Sequence, residues 1–120
     1  MYFPKETVPG SKAFNATSDV YLEAGHICIK RKIAEKLFAS ESVVLTVYYA
    51  KDNTFMAAPA SEELFRSLHK SNQQMLKSKN ASGDKSISVQ ELLIDNNLED
   101  QDRNLDYESE ESLHILKIKL

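Results

Sequence analysis

The sequence predicts an α+β domain with a small, mainly antiparallel sheet and two main helices, and three observations predict it. Residues 42–49 form a run that is β-branched and aromatic throughout, followed by turn residues and a second apolar run, as in a hairpin. Residues 61–79 place Leu64, Phe65, Leu68, Met75 and Leu76 at helical spacing after Ser61, a good N-cap. Ser88 and Glu91 stand three apart with Ile87 and Leu92 at the flanking staple positions, the signature of a helix start. The chain of 120 residues has room for one such domain, spanning residues 1–120, and not for two.

Taken in order, residues 1–18 carry Pro4, Pro9 and Gly10 with scattered Phe3, Val8 and Phe14. They read as an extended N-terminal arm lying over the domain, because those apolar groups need cover. Val20–Leu22 and His26–Ile29 read as two short strands broken at Gly25, where a turn costs little. Residues 30–38 form a short helix with Ile33, Leu37 and Phe38 on one face.

The strand 43–49 sets Val43, Leu45, Val47 and Tyr49 on one face. Lys51-Asp52-Asn53 turns the chain, and Thr54–Ala58 returns until Pro59 stops it. Both faces of this hairpin carry large apolar groups, so it needs cover on both sides, from helices or from a partner. The 61–79 helix breaks at Asn80–Asp84, and the 88–97 helix ends near Asn96-Asn97. Residues 98–111 read as an acidic loop. Residues 113–120 form a final strand with His114, Leu116, Ile118 and Leu120 on one face and Lys117 and Lys119 on the other.

Composition narrows the function classes. The apolar share is 42% and the charged share 28%, which suits a globular protein rather than a disordered or fibrous one. One cysteine, Cys28, excludes an internal disulfide framework. The start of the sequence shows no basic segment followed by an apolar core, and no apolar run approaches the roughly 20 residues that span a bilayer. A cytoplasmic protein with no membrane partner is therefore expected, and Asn15-Ala16-Thr17 and Asn80-Ala81-Ser82 are chance matches to the glycosylation pattern. Residues 1–85 hold 12 basic and 9 acidic side chains, whereas residues 86–120 hold 3 and 9. This asymmetry lets the two parts attract each other, and it is unlike the uniformly basic surface of a dedicated nucleic-acid binder.

Four constellations could carry chemistry. His26 and Cys28 share a strand face, so imidazole and thiol could make an activated thiolate or half a metal site. The plainer reading is a small buried hydrophobe between isoleucines. Asp100, Asp102, Asn104, Asp106, Glu108 and Glu111 match the spacing of a calcium loop, but Leu105 stands where the turn needs glycine, and a solvated acidic loop is expected instead. Lys30, Arg31 and Lys32, with Lys36 nearby, open a helix directly after a strand and could contact phosphates; a cluster of this size is more often simply solvated. No glycine-rich phosphate loop or nucleophile elbow is present, so no catalytic residue and no cofactor is proposed.

The order of elements from about residue 21 to residue 69 resembles the swapped-hairpin transcription factors of the AbrB and MraZ type. Gly25, Ile27 and Ile29, then Leu37, the hairpin of residues 43–58, Pro59 and the helix from Ser61 carry the likeness, over about two-fifths of the chain. The resemblance implies a bacterial, homodimeric barrel of interlaced hairpins that binds DNA. The charged positions around the family's glycine are Leu22, Ala24 and His26 here, and Lys30 stands where the family has proline. Only Lys30, Arg31 and Lys32 match the family's basic region. The expectation is thus a non-catalytic homodimeric interaction or regulatory domain. DNA binding through Lys30–Lys32 and a small enzyme or metal-dependent protein using His26 and Cys28 are the alternatives.

Overall fold

The computed structural model describes residues 16–39 and 41–120. Strands β1 (Val20–Glu23) and β2 (His26–Ile29) lead into helix α1 (Arg31–Phe38), then β3 (Val43–Tyr49), β4 (Thr54–Pro59) and helix α2 (Glu63–Leu68). The chain continues through β5 (Asn72–Met75), β6 (Lys77–Ser78), β7 (Lys85–Ser88) and helix α3 (Gln90–Asp95). It closes with β8 (Arg103–Asn104), β9 (Tyr107–Glu110) and β10 (Ile115–Lys119). Among the described residues all ladders are antiparallel, in two five-stranded sheets ordered β6-β7-β2-β1-β8 and β5-β3-β4-β10-β9. The fold is α+β, with two sheets where one was expected.

The two sheets share their edges. β5 and β6 are one run of chain hinged at buried Leu76, and β8 and β9 are one run hinged at buried Leu105. Hydrogen bonds alternate sides along both. Leu76 N–H donates to the Ser42 carbonyl on the β3 side, at 2.9 Å, while Lys79 N–H donates to Asp84 on the β7 side, at 2.8 Å. At the other corner Leu105 N–H donates to Val20 on the β1 side, and the Asp106 carbonyl accepts from Lys119 on the β10 side. Even-numbered residues of the first corner thus face β3 and odd-numbered ones face β7, as strand alternation requires. The walls form a flattened barrel that encloses one core.

That core holds Val20, Leu22, Ile27, Ile29 and Ile87 from one sheet, and Val44, Phe55, Ala57, Leu116 and Ile118 from the other. β2 and β7 are antiparallel neighbours, so the helices that follow them lie at opposite mouths. α1 closes one mouth with Ile33, Ala34, Leu37 and Phe38, and α3 closes the other with Leu93. α2 lies outside, where Phe65 covers Leu45, Met56, Ala58 and Ile115.

The expected strands at 20–22, 26–29 and 43–49, the return to Pro59 and the short helix after residue 30 are all present. Four expectations need correction. The helix expected at 61–79 stops at Leu68, because residues 72–78 are drawn into the two ladders that seal a barrel corner. Ser88 does not cap a helix: it ends β7, Val89 is the N-cap residue, and no side chain caps α3. The acidic 98–111 segment is not one loop, since it contains β8 and β9. His114 lies in a turn at φ 56° rather than on the face of the last strand. Of the expected 1–18 arm, residues 1–15 lie outside the described residues. No helix among the described residues is long and apolar enough to cross a membrane.

Candidate functional site

A concavity lies at the α3 mouth, in a cleft of about 820 Å³. Barrel mouths of this size are common ligand sites. The cleft exists because the wall parts there. β7 pairs with the corner strand at Lys77 and Ser78, and four residues further on it has turned into α3. β5 stays with β3, so beyond Met75, which stands opposite Ser88, a gap opens between residues 72–73 and residues 89–92.

One side chain bridges the β7 end of the gap. Gln74 Oε1 accepts from buried Thr46 Oγ1 at 2.7 Å, and Gln74 Nε2 donates to the Ser88 carbonyl at 2.7 Å. The floor is Phe55, Val89 and Leu92; the rim offers the carboxamides of Asn72, Gln90 and Asn96. Lys70 stands on the β5 side, and Glu91 and Asp95, one helical turn apart, line the α3 wall. Among the described residues the side chains of these three charged groups make no ion pair with one another or with other groups. The Tyr48 hydroxyl, also lining the cleft, donates to Asn53 Oδ1. A surface so rich in neutral donors and acceptors over an apolar floor can bind a polar, uncharged or weakly cationic ligand.

The sequence-predicted residues lie elsewhere. Cys28 is 1% exposed, and its thiol contacts the His26 carbonyl at 3.8 Å. Burial pushes the thiol above its ordinary pKa, against a smaller opposing pull from the Lys79 ammonium. The His26 ring turns to the Ala24 carbonyl at 2.9 Å rather than to the thiol. Cys28 faces Tyr21 across the β1–β2 ladder, and Lys79 pairs with Glu23 at 2.7 Å beside them. A buried, protonated thiol is the opposite of an activated nucleophile.

The basic residues are distributed over several partners. Arg31 pairs with Glu35 at 3.1 Å and Lys32 with Asp19 at 3.1 Å, while the Lys30 ammonium sits 5.7 Å from the centre of the Tyr21 ring. Lys36 reaches Glu111 at 3.1 Å. The calcium-like spacing does not gather into a site: Asp102 Oδ1 accepts from Ala24 N–H, and Asn104 Oδ1 accepts from Thr17 and Ser18 N–H. Among the described residues no group of three or more His, Cys, Asp or Glu side chains is placed to hold a metal ion.

The cleft residues were not singled out by sequence reasoning. One signal was present. Ser71 and Asn72 interrupt the helical stripe, and that interruption marks where β5 begins. No protein-family model, curated protein or solved structure matches the chain.

Proposed function

We propose that this protein is a non-catalytic interaction domain that binds its ligand in the cleft between β5 and α3. The observation that carries this reading is the cleft itself: an amide-rimmed concavity over an apolar floor, at a mouth of the barrel. Its polar groups are arranged to hold a ligand rather than to activate one. The test is amide-resolved NMR with separate pools of short peptides, oligosaccharides and nucleotides. At least one pool is expected to shift resonances of residues 46–50, 70–74 and 88–96. Silence from every pool at millimolar concentration, or shifts confined to another surface, overturns the reading.

Pairing of two copies belongs to the same proposal. Its support is exposed apolar surface: Leu64 and Leu68 on α2 and Met75 on β5 are 46%, 64% and 61% exposed. Interlaced hairpins have less support, because β3 and β4 already have β5 and β10 as neighbours in the same chain, and α2 and the core cover both faces. Sedimentation at micromolar concentration should show a dimer that Leu68→Glu dissociates; a monomer throughout rejects pairing. DNA contact through Lys30, Arg31 and Lys32 is the second reading, favoured by the exposure of Arg31 and Lys32 (63% and 72%). It requires an affinity that falls steeply with salt and vanishes when all three are alanine.

A further inference from the structure

We infer that the ligand of the mouth cleft is an extended peptide segment carrying a basic side chain, which adds as a strand to the edge of β5 that no strand among the described residues covers at Gln73. The inference rests on the cleft being the binding surface and specifies what occupies it. Three features of the gap lead to it.

Backbone direction is the first. Along residues 72–79 the even-numbered residues turn their N–H and C=O groups toward β3, as the Leu76–Ser42 bond fixes, and the odd-numbered ones turn them the other way. Lys77 and Lys79 use those groups on β7. Gln73 turns its groups in the same direction, and beside it β7 has given way to α3, whereas Met75 stands opposite Ser88 at the end of β7. Gln73 borders the gap as the point where one more antiparallel strand can pair, the means by which extended peptides are captured at sheet edges.

The second feature is the lack of edge protection. β9, at the far end of the same sheet, carries Glu108 and Glu110, which discourage strand addition. β5 reads Asn-Gln-Gln-Met, with no charge and no proline, and three of its four residues are exposed. Its Gln74 side chain bridges to the Ser88 carbonyl at the β7 end of the gap, which leaves Gln73 as the edge residue that faces α3.

Charge is the third. The α3 wall presents Glu91 and Asp95 to the cleft. A strand lying on β5 would run beneath these carboxylates, which complement a lysine or arginine side chain directed toward α3. Alternate side chains of that strand would point down to Phe55 and Leu92, so an apolar residue flanking the basic one is favoured.

The decisive experiment selects short random peptides on the wild-type protein, resynthesises the binders and measures their affinity for three variants. Gln73→Pro removes an outward N–H while leaving the ladder to β3, whose bonds come from the even-numbered residues; Gln73→Ala keeps that N–H. Binders should be enriched in basic residues, lose about tenfold or more on Gln73→Pro, and keep their affinity on Gln73→Ala. Glu91→Gln with Asp95→Asn should erase the preference for basic over neutral peptides. Should Gln73→Pro fail to fold, peptides N-methylated at alternate backbone positions make the same test on the wild-type protein, and one N-methyl register should abolish binding. Equal affinity for Gln73→Pro and Gln73→Ala, or tolerance of N-methylation in both registers, overturns the inference. So does a cleft that takes an oligosaccharide or nucleotide but no peptide, a result that would leave the binding-domain reading standing. If no pool binds the cleft, both fall.

Discussion

At the scale of single residues, the β1–β2 turn shows what a backbone conformation asks of its sequence. Ala24 and Gly25 both have positive φ, 53° and 75°, the two-residue turn that suits the right-handed twist of a hairpin. Glycine accepts this freely and alanine does not. Ala24→Asn, which makes the favoured Asn-Gly pair, should raise stability by roughly 0.5–1 kcal/mol in urea denaturation. Gly25→Ala should lower it by about 1–2 kcal/mol. The new Cβ would also meet Gln90 Cγ at 3.3 Å, a flexible contact that adds little.

Cys28 makes a second residue-scale prediction. Its pKa is raised from 9.0 in the folded chain, chiefly by burial. A raised folded value means the native state holds its proton more tightly than the unfolded chain does. The stabilisation is complete below pH 9 and is lost as pH rises through the folded value. Tyr21 and Tyr107, raised from 10.0 mainly by burial, and Lys79, raised from 10.5 chiefly by its bond to Glu23, extend the loss to higher pH. Urea midpoints should therefore decline from about pH 9 upward. Cys28→Ala should remove the first part of that decline, although it also loses some packing. A thiol reagent should react with the native protein only as fast as the sheet opens.

Among the elements, α2 is held by little. It has six residues and one buried anchor, Phe65, set over Leu45, Met56, Ala58 and Ile115. Phe65→Ala should cost about 3–5 kcal/mol, because it removes an aromatic side chain and leaves a cavity. Leu68→Ala, on the exposed side of the same helix, should stay within about 0.5 kcal/mol. Equal effects would mean that α2 does not sit as described. The element also explains a misreading. Met75 and Leu76 continue the helical spacing of Leu64 and Leu68, yet Leu76 is buried as a barrel corner and Met75 faces outward, 61% exposed. A stripe with a polar break at Ser71 and Asn72 fits a helix followed by a strand as well as it fits one long helix. Local spacing alone does not separate the two.

For the whole molecule, the consequence of the architecture is that two short corner segments hold both sheets together. Leu76 is shared by the β3 and β7 sides, so Leu76→Ala should cost about 2–5 kcal/mol and lower hydrogen-exchange protection in β3 and β7 together. Protection lost in only one of them would mean that the corner does not couple the sheets. The parting of the wall beside this corner creates the cleft, so the binding surface follows from closure rather than from any local motif.

The sequence by itself determined the elements whose information is local. The β1–β2 turn at Gly25, the strand of Val43–Tyr49, its return to Pro59 and the amphipathic α1 were legible because turn chemistry, β-branching and helical spacing act within a few residues. The burial of Cys28 between two isoleucines was legible for the same reason. Only the tertiary structure decided the rest. Whether residues 72–78 become helix or strand depends on two ladders whose partners, β3 and β7, lie about thirty residues before and about ten after them in the chain. Whether Ser88 caps a helix or ends a strand depends on where Ile27 and Gly25 stand, since β7 pairs with β2 and Val89 N–H bonds to the Gly25 carbonyl. The cleft gathers Thr46, Gln74 and Glu91 from three separate elements, and none of them carries a signal of its own. Hydrogen bonds between distant strands outweigh the modest local preference of a polar, ambiguous segment, and that competition is settled only when the barrel closes.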